Sequence, residues 1–372
     1  MKTKGLISRN LINTLFLFFY LGLIGLLLPS CKNDKNNDRV INFSNTEAEK
    51  NIRLSSIMAI EDIVCLDTTG RDFLGFIDKI LIKDSILFAL DRFQKKQIYA
   101  FNSKNGKFLF NVGKFGDGPG SYEIPYDFIA TEKGNKIEVL DVNKIHYYNS
   151  VNGEYIESRN FPFSAVRFIQ YAGGYGFAGG GNEANLFTTD KEFNLQMSYF
   201  PFKIKNAIKP YNVFQKTGSS ILFQLNFENT IYEVTENSVI PYWKIDFGQS
   251  GSFKEPLLNS PAEVASKYRN KKLVAYTFFE SNEFILFAYI YHEKPFFAIY
   301  SKTTQNKKII DVSTTVNDLT VETPFPFFLY SGIDNTFIAV ANAENIDAQK
   351  LTSLNCSNYF DFAIFKIKIK PF

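Results

Sequence analysis

Beyond residue 55 the chain alternates short apolar runs with clusters of Asn, Gly, Asp and Lys. KILIKDSILFALD, KQIYAFN, KFLFNVG, KIEVLD, KIHYYN and GEYIESR follow one another between residues 79 and 159. Runs this short, rich in Phe, Tyr, Ile and Val and bounded by turn-forming residues, predict strands joined by hairpins. Helical periodicity is scarce. One segment departs from the pattern: in SPAEVASKYRNKK, Ser260 can cap a helix, Pro261 suits its first turn and Glu263 completes a capping box. A short helical insertion is therefore expected over about 260–270.

The strands repeat. With Asp91 set against Asp141, ILFALDRFQKKQIYAFNSKNGKFLF aligns with KIEVLDVNKIHYYNSVNGEYIES. Asn102-Ser103, Asn105-Gly106 and Phe108 then face Asn149-Ser150, Asn152-Gly153 and Tyr155, with the glycines 47 residues apart. That period, roughly 40 to 50 residues, is the length of a four-stranded propeller blade. Weaker copies at about 165–204, 211–247, 272–312 and 326–370 join those at 72–112 and 126–160 to make six. The fold class expected is all-β: a six-bladed β-propeller with four-stranded antiparallel blades.

The amino terminus is of another kind. Lys2, Lys4 and Arg9 precede the apolar stretch LINTLFLFFYLGLIGLLL, and Leu28-Pro29-Ser30-Cys31 ends it. A basic region, an apolar region and a small residue before cysteine resemble a bacterial lipoprotein signal peptide, although Pro29 departs from the commonest lipobox. The resemblance implies cleavage after residue 30 and acylation of Cys31, with 31–54 a lipidated cysteine and polar tether and 55–372 the propeller. The competing reading is an uncleaved membrane helix, since about 18 apolar residues approach the length of a span. Removal of the leader takes away three bases and no acid, turning 41 Lys+Arg against 38 Asp+Glu into 38 against 38. A nucleic-acid partner would need a basic face, which this balance does not supply. Gln94-Lys95-Lys96 reads as a solvated hairpin tip.

A family resemblance follows from GKFGDGPGSYEIPYDFIATEKGNKIEVLDVNKIHYYNSVNGEYI. It looks like an NHL-type propeller repeat, running from a G-x-G-P-G turn through proline to an inner strand, a strand ending in Asp and a strand closing on Gly. The whole chain is similar to six-bladed propeller lipoproteins of Gram-negative envelopes, which implies a cell-envelope address at the outer membrane, facing the periplasm or the surface; Lys32-Asn33-Asp34 resembles the basic-then-acidic tag that takes some of them to the outer surface. Ser121 stands where such loops carry Glu or Gln. In closed propellers the last blade takes a strand from the amino terminus, so residues 57–67 are expected to pair with Tyr359–Ile369. Cys65 and Cys356 fall one in each closing segment. They could be bridged in an oxidising envelope, but Cys356 precedes its strand, and plain packing is the reading favoured.

Chemistry is sparse. His146 and His292 lie in different blades, without a His or Cys neighbour at metal-ligand spacing. His146 falls on a strand and His292 at a hairpin tip. There is no G-x-S-x-G elbow and no Walker motif, so no catalytic residue, metal or cofactor is assigned. GKFGDGPGSYEIP leads through Pro119 and Pro125 into a strand rather than a helix, and reads as a connection between blades.

Antiparallel strands bring the loop between strands two and three of each blade to the same face as the loop leading to the next blade. That face is expected to carry Asp91-Arg92, Lys114-Phe115, Tyr122, Tyr126, Arg167, Asn182-Glu183-Asn185, Asn226, Glu228 and His292-Glu293-Lys294. Aromatics, amides and charges together suit a glycan or a protein surface, while any one of them reads equally as an ordinary loop residue. The 40 phenylalanines are expected to pack between blades. The leading expectation is a lipid-anchored, non-catalytic module that binds a protein or carbohydrate. An envelope hydrolase or lyase with its site over the channel, and a structural part of a surface assembly, are the alternatives.

Overall fold

The computed structural model describes residues 39–67, 74–131, 134–179, 184–201, 213–225, 227–251, 266–319, 327–331, 335–346, 356 and 360–372. They form one compact unit from Arg39 to Phe372, built as six small antiparallel sheets in a ring.

Blade 1 holds Lys79–Lys83, Ile86–Asp91, Gln97–Asn102 and Phe108–Val112; blade 2 holds Asp127–Ala130, Lys136–Asp141, Lys144–Asn149 and Tyr155–Asn160. Blade 3 follows with Arg167–Tyr171, Gly174–Ala178, Ala184–Asp190 and Leu195–Pro201. Blade 4 has Phe214–Thr217, Ser220–Gln224, Thr230–Val234 and Val239–Asp246, and blade 5 has Leu273–Glu280, Phe284–Tyr291, Lys294–Ser301 and Lys307–Asp311. Blade 6 takes Phe327–Ser331, Thr336–Asn342 and Phe360–Ile369 from the end of the chain and Met58–Asp67 from its beginning. Ala363 is opposite Cys65 and Ile367 opposite Ile60 in that closing pair. The expected closure is the one observed.

Blades stack face against face, which explains why the second strands read as continuous apolar runs. Ile86–Asp91 is buried at nearly every position, whereas the outer strand Tyr155–Asn160 is mostly exposed. The core is divided accordingly into six apolar clusters among the described residues, one at each junction between neighbouring blades. Phe88, Phe128 and Tyr148, for example, fill the junction of blades 1 and 2.

The repeated glycines mark where two backbones meet. Gly106 (φ +68°) turns the outer hairpin of blade 1 against the closing strand, and a Cβ there would lie 1.8 Å from the Cys65 carbonyl oxygen. Gly153 (φ +75°) makes the same turn in blade 2, with a Cβ falling 2.0 Å from the Asn111 oxygen. The paired hydrogen bonds repeat as well: Asp67 N–H donates to Gly106 O at 2.9 Å, and Gly113 N–H to Gly153 O at 3.1 Å. Only glycine combines this conformation with so close an approach.

Two expectations change. Residues 39–54, read as the end of a polar tether, belong to the propeller: Arg39–Asn42 adds in parallel to the outer strand of blade 4, and Ala48–Glu49 to that of blade 5. Ile41 and Phe43 drive this docking by burial at the junction of blades 4 and 5. Cys65 and Cys356 form a disulfide, with Cα atoms 5.7 Å apart, so plain packing of the two is corrected. The helix expected at about 260–270 lies outside the described residues up to 265; among those described, Ser266 and Lys267 are helical.

Candidate functional site

On blades 1 and 2 the face expected to carry the ligand, called the upper face below, is assembled from buried polar anchors. Asp91 ends the second strand of blade 1, with no exposed surface. One carboxylate oxygen accepts the N–H groups of Gly75 (2.7 Å) and Phe76 (3.1 Å), and the other those of Gln94 (2.9 Å) and Lys95 (3.1 Å). It fastens the loop arriving from blade 6 to the hairpin of blade 1. Asp141 repeats the device one blade later, accepting the N–H groups of Glu123 (3.0 Å) and Ile124 (3.1 Å). The aspartate that ends the repeat's strand is therefore a clamp on the incoming loop, because a carboxylate offers several acceptor sites to otherwise unsatisfied N–H groups.

The glycine-rich loop is held in the same manner. Lys114–Phe115 pairs in parallel with Ser121–Tyr122, closing GDGPG into a tight turn in which Ser121 N–H donates to Gly118 O at 2.9 Å. The Tyr122 ring is wholly buried at the junction of blades 1 and 2. Its hydroxyl donates to Val112 O (2.9 Å) and accepts from Ile98 N–H (3.3 Å), while Tyr148 donates to Gly120 O (3.1 Å). Burial raises the Tyr122 hydroxyl well above its ordinary pKa, so it remains a neutral donor.

Several expected ligand residues are thus internal. Asp91 and Tyr122 are clamps, and Arg92 is buried with its guanidinium 3.1 Å from Asp78. Arg167 is buried and donates to Tyr126 O (2.6 Å) and Val166 O (2.8 Å). Beside it, Asp127 accepts from Lys79 Nζ at 2.6 Å and from Phe168 N–H at 3.1 Å, so the starts of three inner strands are tied across two junctions. Asp91, Arg92, Tyr122 and Arg167 are each buried, and each already serves a neighbouring loop or strand. Tyr126 is half-buried against the core of blades 2 and 3. Glu228 accepts from Tyr232 at 3.2 Å, and burial raises its pKa. His292 is exposed, at φ +50°, with its ring 4.1 Å from that of Tyr291. Asn185 donates to Phe200 O at 2.8 Å, and Glu293 and Lys294 are exposed. Cys31, Asn182, Glu183 and Asn226 lie outside the described residues.

The fastened loops hold out phenylalanine rings. Phe115 is 54% exposed, Phe93 on the blade 1 hairpin 60%, and Phe76 on the loop from blade 6 47%. Arg92 stacks its guanidinium carbon 4.2 Å from the Phe93 centroid, and Lys96 sets its ammonium 4.8 Å from that of Phe115. Lys114 is also exposed here. Phe115 and Lys114 were expected on this face; Phe76 and Phe93 were not. Nothing in the pattern separated these two rings from core phenylalanines, because their outward direction depends on the Asp91 clamp.

One polar chain has the atoms of a nucleophilic site. Asp141 stands 3.4 Å from His146 Nε2, and His146 Nδ1 is 2.8 Å from Ser158 Oγ, which in turn meets Tyr155 Oη at 2.9 Å. Burial pushes the Asp141 carboxyl up, but the His146 contact and the two loop N–H groups outweigh it and leave its pKa lowered. Two ends of this chain also reach the loop between blades 1 and 2: the carboxylate accepts the N–H groups of 123 and 124, and the Tyr155 ring packs against Gly120. Ser158 is held between two partners, and the arrangement fastens a blade. Among the described residues no group of three or more His, Cys, Asp or Glu could hold a metal ion.

One solved structure shares the fold, and two others are more distant matches with lower TM-scores. A crystal structure of an exported-protein candidate from Bacteroides fragilis superposes with a TM-score of 0.74 at 19% identity, over 89% of this chain and 100% of that one. The WD40 domain of Neurospora crassa Pan2 reaches 0.46 at 11% identity, over 85% and 96% of the two chains. BamB from Moraxella catarrhalis reaches 0.39 at 10%, over 76% and 69%. The search of curated proteins returned no match. A family model described as a domain of unknown function, DUF4934, matches residues 38–358, and the chain belongs to that family.

Proposed function

We propose that this member of the DUF4934 family is a lipid-anchored propeller of the bacterial cell envelope that binds a protein or carbohydrate on its upper face. The observation that carries this reading is the outward presentation of Phe76, Phe93 and Phe115 by loops whose backbone is tied down by Asp91 and Tyr122. Rings held half out of a rigid frame give contact area at small entropic cost on binding.

Address rests on the leader and on Cys31, and the disulfide suits an oxidising compartment. Arg39 already belongs to a strand, so the tether after Cys31 reduces to the seven residues 32–38. Palmitate labelling of the full chain and of Cys31→Ala tests the anchor. Label and membrane retention are expected to vanish in the variant, and their persistence sinks the lipoprotein reading. Capture from envelope extracts by the full chain, compared with Phe93→Ala/Phe115→Ala, tests the binding reading. A ligand that survives both substitutions places binding elsewhere.

A further inference from the structure

Resting on the lipid-anchor reading, we infer that the outer edge of blade 4 is the membrane-facing side of the propeller and seats on lipid headgroups, so that the exposed rings of blade 1 point away from the membrane. The chain coming from Cys31 enters the ring at that edge. Arg39–Asn42 runs parallel to Val239–Asp246, with Arg39 opposite Trp243 and Asn42 opposite Asp246. Fourth strands rise toward the upper face, where each leads to the next blade, so Arg39 is the lower end of the strap. Fully extended, residues 32–38 reach at most about 30 Å, whereas a compact unit of this length is roughly 50 Å across. Blade 1 lies across the ring from blade 4, since the apolar clusters at the junctions follow the chain order of the blades. A tether shorter than the ring is wide favours seating on the edge where it enters, and that edge leaves blade 1 on the far side.

The surface at this edge suits an interface with lipid. The strap begins opposite Trp243, and among the described residues no strand covers Val239–Tyr242 below it. Ile240 and Pro241 are exposed there, with Tyr242 and Trp243 half-buried beside them. Tyr242 and Trp243 meet edge to face at 5.9 Å, and Arg39 sets its guanidinium carbon 4.5 Å from the Tyr242 centroid and 5.4 Å from that of Trp243. Tyrosine, tryptophan and arginine each join an apolar body to a polar tip, the combination that residues at the headgroup level of a bilayer require. Pro241 brings no N–H to the open edge, which blunts it against pairing with a strand of another copy or protein. Lys32 and Lys35 of the tether are offset by Asp34 and Asp38, so the seating does not depend on anionic lipid. Outer strands elsewhere also expose apolar residues, Ile156 and Leu195 among them, but the anchored chain enters at blade 4. A weak contact is sufficient at this place, because tethering raises its effective concentration.

The test uses the full, lipidated chain in phosphatidylcholine vesicles that carry dansyl on some headgroups, because Trp243 is the single tryptophan and its emission passes to dansyl only at short range. Strong transfer is expected from Trp243, and severalfold weaker transfer when the donor is moved to blade 1 in Trp243→Phe/Phe93→Trp. Should that variant not fold, Phe93→Trp alone adds a distant donor and lowers the mean transfer. Ile240→Asp should weaken transfer from Trp243 about twofold or more, with thermal unfolding unchanged because the side chain lies at the surface. Transfer from position 93 equal to or above that from Trp243 overturns the orientation, and transfer indifferent to Ile240→Asp overturns the seating on lipid. A detergent-solubilised dimer that Ile240→Asp abolishes gives the edge to a second copy instead. If the chain floats with the vesicles yet passes little energy from Trp243, this inference falls and the anchor stands; if it carries no acyl group and does not float, both fall.

Discussion

Blades 1 and 2 and blades 4 and 5 solve the same packing problem by different means. The first pair uses a device that recurs: aspartate clamps at 91 and 141, and glycine turns at 106 and 153 pressed against the preceding blade. The second pair uses parts found once. Arg39–Asn42 and Ala48–Glu49 strap their outer edges, and a buried Glu280 carboxylate joins Trp243 Nε1 (3.0 Å) to Lys302 Nζ (2.9 Å) across their junction. The outer strands of blades 1 to 3 have no such fifth strand among the described residues. A propeller thus tolerates loss of its repeat wherever another contact holds neighbouring sheets together, and the repeat persists where backbones touch directly.

The largest effect is expected at the closure, which belongs to neither pair. The disulfide joins residues 291 positions apart, and cross-links over such long loops typically contribute 2–4 kcal/mol, roughly, mainly by restricting the unfolded chain. Cys65→Ser or reduction should lower the urea midpoint accordingly, with the ring still closed by its antiparallel strands. An unchanged midpoint would show that the bridge contributes nothing to closure.

Glycine substitutions test the comparison itself. Gly106→Ala and Gly153→Ala should each cost about 3 kcal/mol, from a disfavoured backbone angle and a Cβ driven into a carbonyl oxygen. Gly218 in blade 4 has a similar angle, φ +56°, but nothing lies within 4 Å of a Cβ there. Gly218→Ala should cost only about 1 kcal/mol. Equal losses at all three positions, measured by denaturant unfolding, would deny the special role of the close approach in blades 1 and 2.

What could be read in the chain follows the same division. Gly106 and Gly153 align because each meets a carbonyl at its turn, and Asp91 and Asp141 because each holds an incoming loop. At the matching place in blade 4 stands Gln224, and in blade 5 Tyr291, so the register weakens although the strands remain. The strap was missed because Val40-Ile41-Asn42-Phe43 is a brief alternation inside a polar run, and its partner lies two hundred residues away. The bridge was undervalued for a similar reason: Cys356 reaches Cys65 from outside the strand Phe360–Ile369. Site residues were the least legible. Asp91 ends a strand and Tyr122 lies in a two-residue strand, and whether such a side chain enters the core or faces water depends on hydrogen bonds made by distant segments.

A smaller effect is expected from pH at the junction of blades 2 and 3. Burial raises the Glu138 carboxyl from 4.5 to about 7, opposed by the Tyr175 hydroxyl that donates to Oε1 at 3.2 Å. Because the folded state holds this proton more tightly than the unfolded one, the stability it confers is present below pH 4.5 and is lost as pH rises through 7. Glu138→Gln removes the ionisation while keeping an acceptor for Tyr175. Relative to the parent, it should gain about 2 kcal/mol at pH 8 and almost nothing at pH 4. A difference independent of pH would mean that Glu138 does not titrate within the folded blade.

The least is expected from the ion pairs that decorate the closing strands. Lys366 approaches Asp62 at 2.7 Å and Lys368 pairs with Glu61, but both lie on surface reached by solvent. Water and salt screen such pairs, and holding two flexible side chains together costs entropy, so each is worth roughly 0–1 kcal/mol. A double-mutant cycle on Lys366→Ala and Asp62→Ala should give a coupling below about 0.5 kcal/mol that shrinks further in high salt. Coupling as large as the disulfide's effect would move the closure from covalent and apolar contacts to charge. The burial of Ile364, Phe365 and Ile367 between the two ends of the chain argues for the apolar account, since their contribution does not require opposite charges to be held in register.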